Sequence, residues 1–210
     1  MTHQALLENN RRWVAERTAS DPEYFRRLSG RHEPRFLYIG CSDARVPAEQ
    51  MVQTAPGDLF VHRNVANLVV PTDTNLMAVL HYALAVLRVS DVIVCGHEEC
   101  GGVRAAMSAA PAPLLVEHWL ANVRGVARQH ADALASIDCE HQRHARLVEL
   151  NVAEQVATLS RMPPVREAWA AGAELRLHGW VYGVAEGRLR DLGITLHGPD
   201  VARTVAARAA

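Results

Sequence analysis

The sequence contains no lysine, and all 22 of its basic residues are arginine. This absence excludes Schiff-base chemistry and every other reaction that needs a lysine nucleophile. No apolar run approaches the roughly 18 residues that a membrane-spanning helix requires. The N-terminus also lacks the basic and apolar stretches of a secretory signal. We therefore expect a cytoplasmic protein with no membrane partner.

The chain has little net charge, with a formal value of −1 at pH 7. The excess of positive charge that would favour nucleic acid is therefore missing. Its 210 residues, 49% apolar and 21% charged, suffice for one sizeable core. No repeat, low-complexity tract or linker marks a boundary. We expect a single domain over residues 1–210 and no nucleic-acid partner.

Only four cysteines are present, and two of them follow short apolar runs. The runs at 36–40 and 92–96 have the length and composition of buried strands. Cys41 comes directly after the first run, and Cys100 comes shortly after the second. In a reducing compartment, clustered cysteine and histidine favour a metal site over a disulfide. Cys95 falls inside the second run, where we expect core, and Cys139 has no partner motif.

Cys41, His97 and Cys100 are ligand types that zinc prefers, and three protein ligands leave a fourth position open for water or substrate. His97 and Cys100 are three residues apart at the expected start of a helix, so their side chains can share one face. Cys41 would come from the other strand, at the same edge of the sheet. The pattern predicts one catalytic Zn²⁺ ion per chain.

Asp43 and Arg45 complete this polar loop. Asp43 is close enough to Cys41 to fill the fourth position or to accept a proton there, and the planar fork of Arg45 could hold the Asp43 carboxylate in a bidentate pair. We expect the pair to act as a switch that opens and closes the fourth position. A structural zinc site with Asp43 as its permanent fourth ligand is the alternative.

Strand and helix patterns alternate along the chain, which predicts an α/β fold with a mostly parallel sheet and flanking helices. One antiparallel edge strand and an N-terminal helical arm at residues 1–30 complete the prediction. The expected strands are 36–40, 59–63, 91–95, 175–184 and 189–192. The expected helices are 3–28 divided near Asp21, a short one from Pro47, 75–88 capped by Thr72 or Thr74, 101 to the breaker at Pro111, 114–161 interrupted between 131 and 145, 163 to near Gly172, and one from Pro199.

Five segments of this chain closely resemble the β-class carbonic anhydrase family, in the family's order and spacing from about residue 8 to residue 193. They are 41–46 (Cys-Ser-Asp-Ala-Arg-Val), 56–67 (beginning Pro-Gly-Asp-Leu-Phe), 96–102 (Gly-His-Glu-Glu-Cys-Gly-Gly), 151–155 (Asn-Val-Ala-Glu-Gln) and 178–182 (His-Gly-Trp-Val-Tyr).

The resemblance implies the function and assembly of the chain. It implies that Cys41, His97 and Cys100 bind zinc, that Asp43 is an alternating ligand, and that Asp43 and Arg45 form the catalytic dyad. The implied reaction is the reversible hydration of CO2 to bicarbonate by zinc-bound hydroxide. The family also implies a homodimer or homotetramer.

One subgroup of the family has a second, regulatory bicarbonate site, whose positions match Tyr38, Arg63 and Tyr182. The subgroup carries tryptophan where this chain has Tyr38, so the chain departs from it at one of the three positions. Two other functions remain alternatives: a zinc hydrolase of carbon disulfide or carbonyl sulfide with the same fold, and a non-catalytic zinc-binding protein.

Overall fold

The computed structural model describes residues 1–30 and 32–198. It divides into two compact units, one over Met1–Glu33 and one that begins at Pro34. The terminal helix expected from Pro199 lies outside the described residues. Among those described, no helix has both the length and the apolar character needed to cross a membrane.

The N-terminal unit is a pair of helices, α1 (His3–Ser20) and α2 (Tyr24–Ser29). The Thr2 side chain accepts a hydrogen bond from the Ala5 amide and so caps α1. The chain leaves the helix at Asp21, which confirms the expected division. Neither helix has a buried residue, so this arm has no core of its own.

The second unit is built on a five-stranded sheet in the order β2-β1-β3-β4-β5. The strands are β1 (Phe36–Cys41), β2 (Leu59–Asn64), β3 (Asp91–His97), β4 (Arg176–Gly183) and β5 (Arg188–His197). The first four are parallel and β5 is antiparallel to β4. The predicted fold class, a mostly parallel α/β sheet with one antiparallel edge strand, is confirmed.

The helices of this unit occupy the connections between strands. They are α3 (Ala48–Val52), α4 (Thr74–His81), α5 (Gly101–Met107), α6 (Leu114–Gln129), α7 (Ala131–Ala135), α8 (Glu140–Arg161) and α9 (Pro163–Ala170). The interruption expected between 131 and 145 is confirmed, because the chain is non-helical between α7 and α8.

Several sequence-based details differ from the structure. The helix expected over 75–88 ends at His81 and continues as a π-helical turn over Tyr82–Val86. Its cap is Asp73, whose Oδ1 accepts the Asn75 amide at 3.0 Å. The last strand runs to His197 rather than 192, because Gly193 adopts a positive φ of 69° and the pairing with β4 then resumes beyond it.

The two faces of the sheet have separate cores. The larger one contains Leu37, Ile39 and Val94, with buried side chains from α4, α5, α6, α8 and α9 packed on them. The smaller one contains Tyr38 and Cys95, which confirms Cys95 as a core residue with 0% exposure. Helix α8 packs against one face of the sheet, where it contacts β3 and β4.

Gly40 is required by the packing of Tyr38. A Cβ atom at Gly40 would lie 2.8 Å from Cζ of the Tyr38 ring, closer than any ordinary contact. We expect Gly40→Ala to lower the free energy of unfolding by about 1–3 kcal/mol, the usual effect of overpacking a core. Chemical denaturation measures it.

Gly125→Ala provides the matched control, because Gly125 lies inside α6 and a Cβ there meets nothing closer than 4.0 Å. It should raise stability by about 0.5–1 kcal/mol. Adding Tyr38→Leu to Gly40→Ala should recover part of the loss. Equal stability of the two alanine variants would contradict the packing argument.

Candidate metal centre

The three expected zinc ligands lie at the carboxyl edge of the sheet. Cys41 is the last residue of β1, and His97 is the last residue of β3, its parallel neighbour. Cys100 is the N-cap residue of α5. Because parallel neighbours end at the same edge, side chains from distant parts of the sequence meet there.

The expectation that His97 and Cys100 share one helix face is wrong. His97 still belongs to β3, and a turn at Glu98 and Glu99 separates it from α5. Glu99 adopts a positive φ of 54° in this turn. The turn therefore brings the two ligands together, and helical spacing plays no part.

The ligand atoms are spaced as a single ion requires. The two Sγ atoms of Cys41 and Cys100 are 3.9 Å apart. These sulfurs and a ring nitrogen of His97 all lie within 4.8 Å of one another, and the three residues are buried. Zinc–sulfur bonds of about 2.3 Å in a tetrahedral site place two sulfurs about 3.8 Å apart. The donor set fits a metal ion.

The orientation of the His97 ring leaves one nitrogen for a metal. Nδ1 lies 2.8 Å from the carbonyl oxygen of Glu98, and Nδ1 must donate because a carbonyl can only accept. Nε2 is buried and has no hydrogen-bond partner among the described residues. A buried polar atom without a partner is rare, and a metal ligand held through its other nitrogen has this geometry.

The two thiols form a coupled acid pair. The hydrogen bond between the two thiols is the largest reason that the pKa of Cys41 is lowered, and His97 lowers it further. The pKa of Cys100 is raised, because its proton is held against the sulfur of Cys41 and because it is buried. One thiolate is therefore available at neutral pH, and a cation would displace the second proton.

Asp43 and Arg45 form the bidentate pair expected from the sequence. Nε and NH2 of Arg45 donate to the two carboxylate oxygens of Asp43 at 3.0 and 2.7 Å, and the Arg45 amide adds a third bond at 2.9 Å. The Arg45 guanidinium holds the pKa of Asp43 well below its usual range. Oδ2 of Asp43 is nevertheless only 3.8 Å from Nε2 of His97, so the carboxylate lies beside the ligand cluster.

Arg63 supports the same loop. Its Nε donates to the carbonyl oxygen of Cys41 at 2.8 Å, and its NH2 donates to that of Asp43 at 2.6 Å. The sequence assigned Arg63 only to a regulatory site and missed this contact. Bonds to backbone carbonyls leave no sequence pattern, because every residue has a carbonyl.

The other two residues of the expected regulatory site lie together on the smaller core. Tyr38 is 1% exposed, and Tyr182 packs against the same cluster. The Tyr38 hydroxyl has no hydrogen-bond partner among the described residues. Burial raises the pKa of the Tyr38 hydroxyl, and the positive charge of Arg63 offsets part of this effect. Bicarbonate binding by Tyr38, Arg63 and Tyr182 stays a prediction.

Three polar residues of α8 that the sequence did not assign to the site reach its loops. Asn151 Nδ2 donates to the Ala66 carbonyl at 3.0 Å. Gln155 Oε1 accepts the Val69 amide at 2.8 Å. His144 is 3% exposed, and this burial lowers the pKa of its imidazole. His144, Asn151 and Gln155 share one helix face by their spacing, so polar residues in an apolar stripe were the available signal.

Sequence comparison relates the chain to carbonic anhydrases. The family described as carbonic anhydrase matches residues 36–189. The carbonic anhydrase of Emericella nidulans is 41% identical over 197 residues, which cover 94% of this chain and 86% of the relative. The carbonic anhydrase of Pseudomonas aeruginosa is 40% identical over 177 residues, covering 80% of this chain and 77% of the relative.

Solved structures show the same relationship. One of two tetrameric β-carbonic anhydrases from Sordaria macrospora superposes with a TM-score of 0.87 at 37% identity, covering 92% of this chain and 98% of that one. The β-carbonic anhydrase of Coccomyxa, crystallised with acetazolamide, gives a TM-score of 0.89 at 37% identity, covering 95% and 90%.

The coupling of the two thiols can be tested by the ultraviolet absorbance of protein from which a chelator has removed metal. Its ultraviolet absorbance should already contain one thiolate at pH 7, and this contribution should disappear only in acid, well below the usual titration range of a thiol, because the pKa of Cys41 is lowered. Cys41→Ser should remove the transition. Cys100→Ala should move it to higher pH, since alanine cannot donate the hydrogen bond that is the largest cause of the lowered pKa. Absence of thiolate absorbance at pH 7 would contradict the assignment.

Proposed function

The chain belongs to the β-carbonic anhydrase family, and we propose on this premise that it catalyses the reversible hydration of CO2 to bicarbonate and a proton. The observation that carries the proposal is the buried Cys41, His97 and Cys100 cluster. Three protein ligands leave a fourth position for the reacting water, the arrangement typical of catalytic zinc sites.

We infer that this cluster holds one zinc ion per chain. Two sulfurs and one imidazole form a donor set that suits zinc, and two thiolates balance its double charge. The chemistry that zinc supplies in such an open site is the conversion of water into a nucleophile near neutral pH.

Asp43 and Arg45 would control access to the fourth position. While Arg45 holds both carboxylate oxygens, Asp43 stays ionised and can accept a hydrogen bond from the attacking hydroxyl group. Release from Arg45 would let the carboxylate move onto the ligand cluster, from which it is separated by only 3.8 Å at His97. The fourth position would then be blocked.

The contact of Arg45 with Asp43 also favours a catalytic zinc site over a purely structural one. A permanently bound fourth ligand needs no group that draws it away from the metal. Arg45 instead holds Asp43 through three bonds and donates a further one to the Glu99 carbonyl at 3.1 Å, so its position is fixed on both sides.

We further propose that residues 1–210 act as one domain with residues 1–30 as an arm, and that the protein is a homodimer or homotetramer. The arm presents Leu7, Trp13 and Val14 to solvent and buries none of its helical residues, which supports a role in assembly. The Sordaria macrospora relative is described as tetrameric.

Sedimentation equilibrium tests the assembly, and the mass should be a two- or fourfold multiple of 23.1 kDa. Leu7→Glu should reduce the mass if the arm forms the contact, because a charge would replace exposed apolar surface. A monomer at micromolar concentration would contradict the proposal.

The proposed reaction is tested by stopped-flow CO2 hydration on zinc-loaded protein. We expect one zinc ion per chain and a rate that rises with pH, because the attacking water must lose a proton. A fully zinc-loaded sample whose rate equals that of buffer at alkaline pH would overturn the proposal. Carbon disulfide and carbonyl sulfide, assayed in parallel, identify the alternative substrates.

The dyad is tested by Asp43→Asn and Arg45→Lys. Both should lower kcat by roughly 10²–10⁴, the usual contribution of a positioned proton-transfer group, and both should retain zinc. Lysine keeps the charge of Arg45 but lacks its planar fork.

Arg104→Ala is the matched control for loss of an arginine. Arg104 pairs with Glu99 at the exposed surface of the same region, and such pairs contribute little. The Arg104→Ala variant should hydrate CO2 at the wild-type rate. Full activity in Asp43→Asn would show that the carboxylate has no part in the reaction.

A further inference from the structure

His144 makes a direct contact with the backbone of an expected metal ligand. It lies on the buried face of α8 with 3% of its surface exposed. Its Nε2 is 3.1 Å from the carbonyl oxygen of Cys100, and Nε2 must donate because a carbonyl only accepts. The same oxygen accepts the Arg104 amide at 3.0 Å, the first backbone bond of α5.

We propose that His144 is a positioning residue that sets the orientation of Cys100 as a metal ligand. The inference rests on the proposed function, since it requires the metal site. His144 contacts neither the substrate nor the expected metal position, and it acts only through the peptide group that follows Cys100.

The backbone at Cys100 needs an external support. Glu99 precedes it and has a positive φ of 54°, which residues other than glycine rarely adopt. Gly101 and Gly102 follow it, and glycine has the greatest backbone freedom of any residue. Without a fixed partner, this segment could take several conformations, and the Cys100 sulfur would follow them.

The hydrogen bond from His144 restricts this backbone freedom at the carbonyl group of Cys100. The Cys100 carbonyl belongs to the peptide plane that begins α5, where it accepts the Arg104 amide. Fixing this carbonyl therefore restrains the backbone that carries the Cys100 sulfur.

Helix α8 is a firm base for this contact. It is 22 residues long, packs on β3 and β4, and contacts α5. Asn151 and Gln155, farther along the same face, bond to Ala66 and Val69 in the segment that follows β2. His144 differs from them because it reaches the backbone of a ligand residue itself.

The test is the affinity for Zn²⁺, measured by competition with a chromophoric chelator. His144→Leu fills the same volume without a donor and should weaken Zn²⁺ binding roughly 10- to 100-fold, the usual effect of losing a partner of a metal ligand. His144→Gln restores a donor of similar reach and should recover most of the loss. The absorption bands of Co²⁺-substituted protein should shift in His144→Leu and return in His144→Gln.

Leu159→Ala is the control for an ordinary core defect. Leu159 is fully buried near the far end of α8, so its truncation should lower Tm and leave Zn²⁺ affinity unchanged. Equal Zn²⁺ affinity in His144→Leu and wild type would overturn the inference, and so would an equal loss in Leu159→Ala.

Further measurements distinguish a folding defect, a lack of CO2 hydration and a lack of metal binding from one another. If His144→Leu does not fold, His144→Gln is compared with His144→Asn, whose shorter amide cannot reach the carbonyl. The inference predicts tighter Zn²⁺ binding by the glutamine variant, and equal binding overturns it. A wild type that binds Zn²⁺ but hydrates no CO2 would refute the enzyme alone, and the affinity ratio would still decide for His144. A wild type that binds no Zn²⁺ would overturn both.

Discussion

Two buried sulfur atoms 3.9 Å apart are the constraint on which the rest of the site depends. Two thiolates cannot remain that close in a buried place without a positive charge between them, and a shared proton or a cation satisfies this need. The imidazole of His97 adds a third donor with a free nitrogen. The surrounding structure serves to keep these three atoms at one point.

Hydrogen bonds from side chains to backbone carbonyls hold the ligand-bearing loops in place. Arg63 holds the carbonyls of Cys41 and Asp43, and Arg45 holds that of Glu99. On the other side, α8 holds the carbonyl of Cys100. Each loop is thus tied to a strand or a long helix, so both ligand-bearing loops are positioned by elements whose own cores are packed.

The sequence predicted the parts of the structure that depend on local pattern. Buried strands ending at Cys41 and near His97 in a mostly parallel sheet followed from apolar runs and α/β topology, and so did the convergence of the ligands at one edge. That the two strands pair directly is known only from the structure. The turn at Glu99 did not follow, because a non-glycine residue with a positive φ has no local signature. The bonds from Arg63 and His144 could not be predicted either, because their acceptors are backbone carbonyls brought near only by the fold.

The central claim is that the two sulfurs and one nitrogen bind a single metal ion. X-ray absorption at the zinc edge of the purified protein tests it most directly. The structure predicts a shell with two sulfur donors at about 2.3 Å and one imidazole nitrogen at about 2.0–2.1 Å, completed by one oxygen donor. A shell of oxygen and nitrogen donors without sulfur, or purified protein that takes up no zinc, would contradict it.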